Sequence, residues 1–221
     1  SRRLLLFISP MILSGIIYDS MRYYADYIRG PVHVAQPYLA EKFLFGLHTG
    51  ANGELQTPNE FWQQHTNIIF DFFCGLAYLL FIFEYIFLCF YFFFTGLWQY
   101  LRRAAWGFFW VNFFGYCTYY IYAAAPPWYV ALFGIGPARM DTKANPAGAA
   151  RFDAIFDTHF FTGMYGKSAD VFGAIPSLHV SYPFLAMIFA LQMRRFRGFS
   201  ISFFLLMCFS AVYLNHHYMI D

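Results

Sequence analysis

Five apolar stretches, each close to the length of a bilayer-spanning helix, constrain this chain more than any other feature. They cover residues 4–21 (broken by Pro10), 70–97, 104–124, 178–193 and 199–221. A hydrocarbon core of about 30 Å needs about 20 apolar residues in a helix. A soluble globule of this size lacks the polar surface to hide five such runs, because only 12% of its residues are charged, against roughly 25% in soluble domains. A mean hydropathy of +0.46 agrees. These features exclude a disordered chain, a collagen-like chain and an ordinary water-soluble enzyme. The net charge of +2 gives no reason to expect nucleic acid as a partner. Cys74, Cys89, Cys117 and Cys208 all fall inside apolar runs and read as small buried hydrophobes. The expected fold class is therefore all-α, a polytopic membrane helix bundle.

The first stretch, opened by Arg2-Arg3, lacks a small-residue cleavage site and reads as a membrane helix, not a signal peptide. Between helices one and two, residues 31–67 are more polar, with a short amphipathic helix expected around Val34–Leu44 at the interface. Residues 125–177 are rich in Gly and Pro, too polar to span and too long for a plain turn, which suggests function. Arg2-Arg3, Arg102-Arg103 and Arg194-Arg195-Arg197 fall on one side when the helices are threaded back and forth. By the positive-inside rule that side is cytoplasmic, and both long segments face out. The last residue, Asp221, ends the chain inside an apolar pattern, so a sixth helix is expected downstream.

The chemistry lies near the C-terminus. Pro176-Ser177-Leu178-His179 opens the fourth helix, and His217-Tyr218-Met219-Ile220-Asp221 closes the fifth. A short basic loop joins them, so they are antiparallel and these ends meet on the outer side. Four residues of helix bring His217 and Asp221 onto one face, about 6 Å apart along the axis. A carboxylate there fixes one imidazole nitrogen and leaves the other as a nucleophile. His179 adds an acid and base, and the helix N-terminus at Ser177 adds a phosphate cradle. Three simpler accounts stand beside this one. A histidine at a helix end is often only a packed interfacial residue, a His-x-x-x-Asp pair can be a structural hydrogen bond, and two His with one Asp can hold zinc. None of them requires the two motifs to stand at facing helix ends.

The two motifs resemble two of the three signatures of the type 2 phosphatidic acid phosphatase superfamily, P-S-G-H and S-R-x5-H-x3-D. The second runs from Ser210 to His217 and Asp221 with Ala211 in place of the arginine, and K-x6-R-P has no clean match. Residues 172–179, 213–218, 125–129 and 146–153 further resemble inositol phosphorylceramide synthases of the aureobasidin-sensitive type. The resemblance covers residues 123–221 well and the N-terminal half loosely.

It implies a six-helix core with about five helices visible here, forming a single membrane-embedded catalytic domain over residues 1–221. Its parts are a first helix and its end (1–30), an interfacial segment (31–67), helices two and three (68–124), an outer active-site segment (125–177) and catalytic helices (178–221). The implied reaction moves phosphoinositol from phosphatidylinositol to ceramide or a similar lipid alcohol, without metal or other cofactor. His217 would attack phosphorus, Asp221 would orient it, and His179 would protonate the leaving oxygen and then deprotonate the incoming hydroxyl.

Arg151 is the first candidate to replace the missing arginine, ahead of Arg139 and Lys143, and its removal is expected to cripple turnover. Asp153 would position Arg151 or bind a sugar hydroxyl, and His216 would support the site or touch the head group. Trp128 and Tyr129 read as interface anchors or as walls of an inositol pocket. Asp71 is expected to be wet. Glu84, alone in mid-helix, is an expensive charge with no evident partner. Two other functions remain open: a lipid phosphatase or pyrophosphatase with water as acceptor, and a non-catalytic lipid-binding or transport protein. The expected place is a bacterial inner membrane with an outward site, or a Golgi membrane with a lumenal one.

Overall fold

A computed structural model describes residues 2–49, 53–168 and 170–221, without the side chains of residues 2–4, 6, 7 and 25. The charges of Arg2 and Arg3 therefore lie outside the described residues. The chain is mostly helical. Its long helices are α1 (Arg2–Met21), α5 (Ile68–Phe94), α6 (Trp98–Ile121), α10 (Leu178–Met193) and α11 (Arg197–Tyr213). Shorter ones are α2 (Ala25–Ile28), α3 (Ala35–Phe45), α4 (Pro58–Gln64), α7 (Pro127–Phe133), α8 (Ala150–Phe156) and α9 (Phe160–Tyr165). Strands β1 (Leu47–His48) and β2 (Leu55–Gln56) form a small antiparallel pair.

All five apolar stretches form helices. Among the described residues, α5 is the helix long and apolar enough to cross a membrane, and α10 and α11 are shorter apolar helices. At 27 residues, α5 spans about 40 Å. Asn67 starts it by accepting a hydrogen bond from the Ile69 N–H (2.8 Å). One face of α5 buries Cys74, Ala77, Tyr78, Tyr85, Leu88 and Phe92, while Phe73, Phe83, Phe87, Phe90 and Phe94 point outward. The outward face is thus as apolar as the packed one, the reverse of a helix on a water-soluble protein. Helix α3 repeats the inversion: Glu41 is 0% exposed and Phe43 86%.

Helices α5, α10 and α11 pack on one another, and α1 lies along α6. Arg194 and Phe196, both left-handed with φ of 58° and 59°, reverse the chain between α10 and α11. The fifth helix differs from expectation, stopping at Tyr213 instead of Asp221. The Ala211 carbonyl takes the N–H groups of both His216 and His217 (3.1 Å each), and Asn215 turns left-handed at φ 63°. Those contacts close the helix, so residues 214–221 form a loop that folds back over the bundle end.

Candidate active site

The loop after α11 lies over the first turn of α10, and its position is set by groups distant in sequence. Asn59, presented by α4, donates from its amide to the carbonyls of Val212 (3.0 Å) and His217 (2.9 Å). Glu41 of α3 accepts the N–H groups of Met219 (2.9 Å) and Ile220 (3.1 Å). Burial pushes the Glu41 carboxyl above its usual range, opposed by those two N–H groups. On the other side, the Gly148 N–H donates to the Leu214 carbonyl (3.0 Å). A side chain at Gly148 would meet the Leu214 backbone at 2.8 Å, which explains a glycine in that segment.

Three extended segments tie together beneath this loop. Ala124 bridges His33 on one side and Gly173 on the other. A Cβ at Gly173 would lie 2.9 Å from the Tyr119 ring. The close approach places the Ala174 carbonyl 2.8 Å from His217 Nδ1.

His217 is gripped at that nitrogen, with Asp221 Oδ2 also 3.0 Å away. Asp221 in turn accepts the Tyr218 N–H (3.1 Å). The pair therefore meets through a tight turn, not through the helical spacing expected from the sequence. Burial pushes the Asp221 carboxyl up, and His217 draws it back down. With two acceptors at Nδ1, the proton of neutral His217 sits there and Nε2 carries the lone pair. That Nε2 lies 3.3 Å from His179 Nδ1, so His179 is the donor of the shared proton. Tyr78 stacks on the His179 ring at 4.7 Å. The ring nitrogens of His217 face opposite ways, one to Asp221 and one to His179. The three side chains therefore do not converge on one point as zinc ligands must.

The remaining sequence candidates fall in different places. Ser177 caps α10, accepting the Val180 N–H (3.3 Å), and is buried. His216 donates from Nε2 to the Pro146 carbonyl (3.0 Å) and is stacked between Tyr165 and Tyr78. Burial, reinforced by His217, pushes its pKa down to about 3, so it is a neutral strut. Arg151 is not brought to the histidines. Its guanidinium donates to Asp71 (2.5 Å), Gln63 (3.0 Å) and the Tyr213 carbonyl (3.2 Å). Asp71, expected to be wet, is buried in that network and also accepts from Tyr213 (2.8 Å). Asp153 caps α9 through the N–H groups of Phe161 and Thr162 and does not touch Arg151. Trp128 and Tyr129 are buried, unlike exposed interface anchors. Glu84 lies against Ser200 of α11, away from the histidines.

A cavity of about 450 Å³ opens below the histidine pair between α1, α5, α6 and α10. Met11, Ile82, Phe108 and Leu178 supply apolar wall, while Trp128, Asn145, Lys167 and the three histidines line the head. Lys167 lies in irregular chain with no motif around it, and Asn145 stands one residue before the 146–153 segment, so neither was singled out in the sequence. Arg139 and Lys143 line a separate hollow of about 340 Å³, which shares Trp128 and Asn145 with the first.

An imidazole held by a carboxylate, a second imidazole opposite and an apolar chamber below fit the class of phosphoryl-transfer enzymes acting on lipids. The chain belongs to the PAP2 superfamily, whose pattern matches residues 53–221. It is 39% identical over 227 aligned residues to the phosphoinositol dihydroceramide synthase of Bacteroides thetaiotaomicron, covering 100% of this chain and 72% of that protein. The inositol phosphorylceramide synthase catalytic subunit of Schizosaccharomyces pombe is 36% identical over 112 residues, 50% of this chain and 26% of that one. Its Saccharomyces cerevisiae counterpart is 33% identical over 112 residues, 50% of this chain and 28% of that one. The aligned half of the chain thus covers about a quarter of the length of these fungal relatives. No solved structure matches it.

Proposed function

We propose that this protein transfers phosphoinositol from phosphatidylinositol to ceramide or a similar lipid alcohol through a phosphohistidine on His217. The observation that carries the mechanism is the polarity of His217: Nδ1 is bound by Asp221 and Ala174, and Nε2 faces His179 above an apolar cavity.

The His217 Nε2 lone pair attacks phosphorus as the bond to the diacylglycerol oxygen breaks. His179 enters this step as an imidazolium; its Nδ1 proton goes to that oxygen, diacylglycerol leaves, and His179 is left a neutral imidazole. Asp221 holds the Nδ1 proton and stabilises the charge on the modified ring. His179, now deprotonated, takes the proton of the acceptor hydroxyl, whose oxygen attacks phosphorus and releases His217. Two steps at one phosphorus let donor and acceptor lipid use one chamber in turn.

The same reading makes the bundle polytopic. The starts of α1 and α6 and the Arg194–Arg197 turn lie at the bundle end opposite the histidines; reading that basic end as cytoplasmic supports a site on the outer face of a bacterial inner membrane or in the Golgi lumen. The outward phenylalanines of α5 and α3 suit lipid contact.

The test uses purified protein in mixed micelles with labelled phosphatidylinositol, with and without ceramide, beside His217→Ala. Label on ceramide, lost in the variant, is the expected result. Water-soluble label regardless of ceramide would make the protein a hydrolase.

A further inference from the structure

Below the histidines the cavity wall carries a polar cluster that the transfer chemistry does not use. Asn112 of α6 is 1% exposed, yet its side chain lines the chamber. Its Oδ1 accepts from the hydroxyls of Tyr116 (2.9 Å) and Tyr182 (2.6 Å), and its Nδ2 donates to the Phe108 carbonyl (2.8 Å). The Tyr116 hydroxyl also lies 3.3 Å from the Ser14 carbonyl. Tyr116 and Tyr182 line the same chamber.

The donor count gives this cluster a direction. A phenol has one hydrogen, and both are committed within the cluster, that of Tyr182 to Asn112 and that of Tyr116 to Asn112 or the Ser14 carbonyl. Toward the cavity their oxygens can only accept. The surrounding wall is apolar, so a lipid group that reaches them without a hydrogen to donate leaves them unpaired.

The depth also fits. Tyr182 lies three residues after His179, one turn further into the bundle, a rise of about 4.5 Å. In a ceramide the amide nitrogen is three bonds from the reacting oxygen and the second hydroxyl is four. Both carry hydrogens. The ester groups at the same depth in a diacylglycerol have none.

We propose that Asn112, Tyr116 and Tyr182 form the acceptor subsite, recognising the amide N–H and adjacent hydroxyl of a sphingoid-type lipid alcohol and discriminating against diacylglycerol. This rests on the transferase reading above.

The experiment follows label from phosphatidylinositol into two acceptors, ceramide and a diacylglycerol of different chain length, whose product is a new phosphatidylinositol. Wild type should favour ceramide. Tyr182→Phe and Tyr116→Phe each remove one accepting oxygen and leave Asn112 with the other phenol as donor, so neither opens a void. Each should raise the KM for ceramide about tenfold, the scale of one buried hydrogen bond, and leave transfer to diacylglycerol within about twofold. Equal losses for both acceptors, no change in either variant, or a wild type indifferent to the acceptor would overturn the subsite while leaving the transferase standing. Wild type that labels neither acceptor would sink the transferase reading and the subsite with it.

Discussion

Replacing Asn59 with aspartate tests whether the loop carrying His217 and Asp221 is held from outside the motif. The substitution, Asn59→Asp, is isosteric and opens no cavity. It removes the two amide hydrogens that reach Val212 and His217. The Val212 carbonyl keeps the Asn215 N–H at 3.0 Å, so its loss is about 1 kcal/mol, whereas a stranded buried carbonyl at His217 costs about 1–3 kcal/mol. The sum is about 3 kcal/mol, or a fall of about 6–12 °C in Tm for a chain of this size. An ionised carboxylate facing two carbonyls is disfavoured, so the introduced carboxyl stays protonated well above the usual range. In that form its single hydrogen restores one of the two bonds. The expected kcat loss is about tenfold or more, with KM for phosphatidylinositol within about twofold. The ratio of variant to wild-type activity should climb as pH falls from about 8 to about 6. Wild-type kcat and Tm in the variant, or a ratio flat with pH, would refute the clamp.

Asp221→Asn should leave the fold intact and lower kcat by about 10²–10⁴-fold, as expected when a carboxylate that fixes a histidine tautomer is lost; steady-state transfer assays decide it. Arg151→Ala should lower stability by about 2 kcal/mol, because three half-buried hydrogen bonds go, while kcat/KM stays within about threefold; Lys167→Ala should do the opposite, raising the donor KM with Tm unchanged. The folded pKa of His216 is depressed to about 3, below the unfolded value near 6.5. The unfolded chain therefore binds a proton first, and stability should fall as pH drops below about 6.5, by up to about 1.4 kcal/mol per unit. Melting curves at pH 7.5 and 5.0 check this, and His216→Asn should flatten the slope.

The helices were legible because they rest on apolar run length, which local sequence carries. Residues 178–193 match α10 from end to end, and α11 begins two residues before its apolar run. The C-terminal end of α11 was not legible. Its closure depends on a left-handed Asn215 and on a loop held by Asn59 and Glu41, more than 150 residues away. That His179, His217 and Asp221 stand together was readable because antiparallel helices bring the two motifs to one bundle end, although a tight turn and not helical spacing joins His217 to Asp221. The place of Arg151 was not legible, because its partners, Asp71, Gln63 and the Tyr213 carbonyl, come from distant parts of the sequence. Glu41 gave no signal: in an amphipathic pattern a charge reads as the wet face, and here it is the buried one.

The missing motif arginine has a structural explanation that bears on substrate charge. Ala211 is buried in the cluster with Cys74, Ala77 and Tyr78, and Tyr78 is the ring on which both His179 and His216 stack. An arginine at 211 would have to force its charge and bulk into that buried cluster. Of the charged side chains lining the cavity, Asp170 is tied to Arg29 at 2.7 Å, which leaves Lys167 as the cation at its head among the described residues. One cation matches a phosphodiester with its single negative charge. A phosphomonoester, with a second pKa near 6, carries close to two charges at neutral pH and would be held with one charge unmatched. Phosphatidic acid should therefore be a poor donor and a weak competitor of phosphatidylinositol. Competition as strong as that from a neutral-headed phosphodiester lipid would show that a cation outside the cavity lining reaches the phosphate.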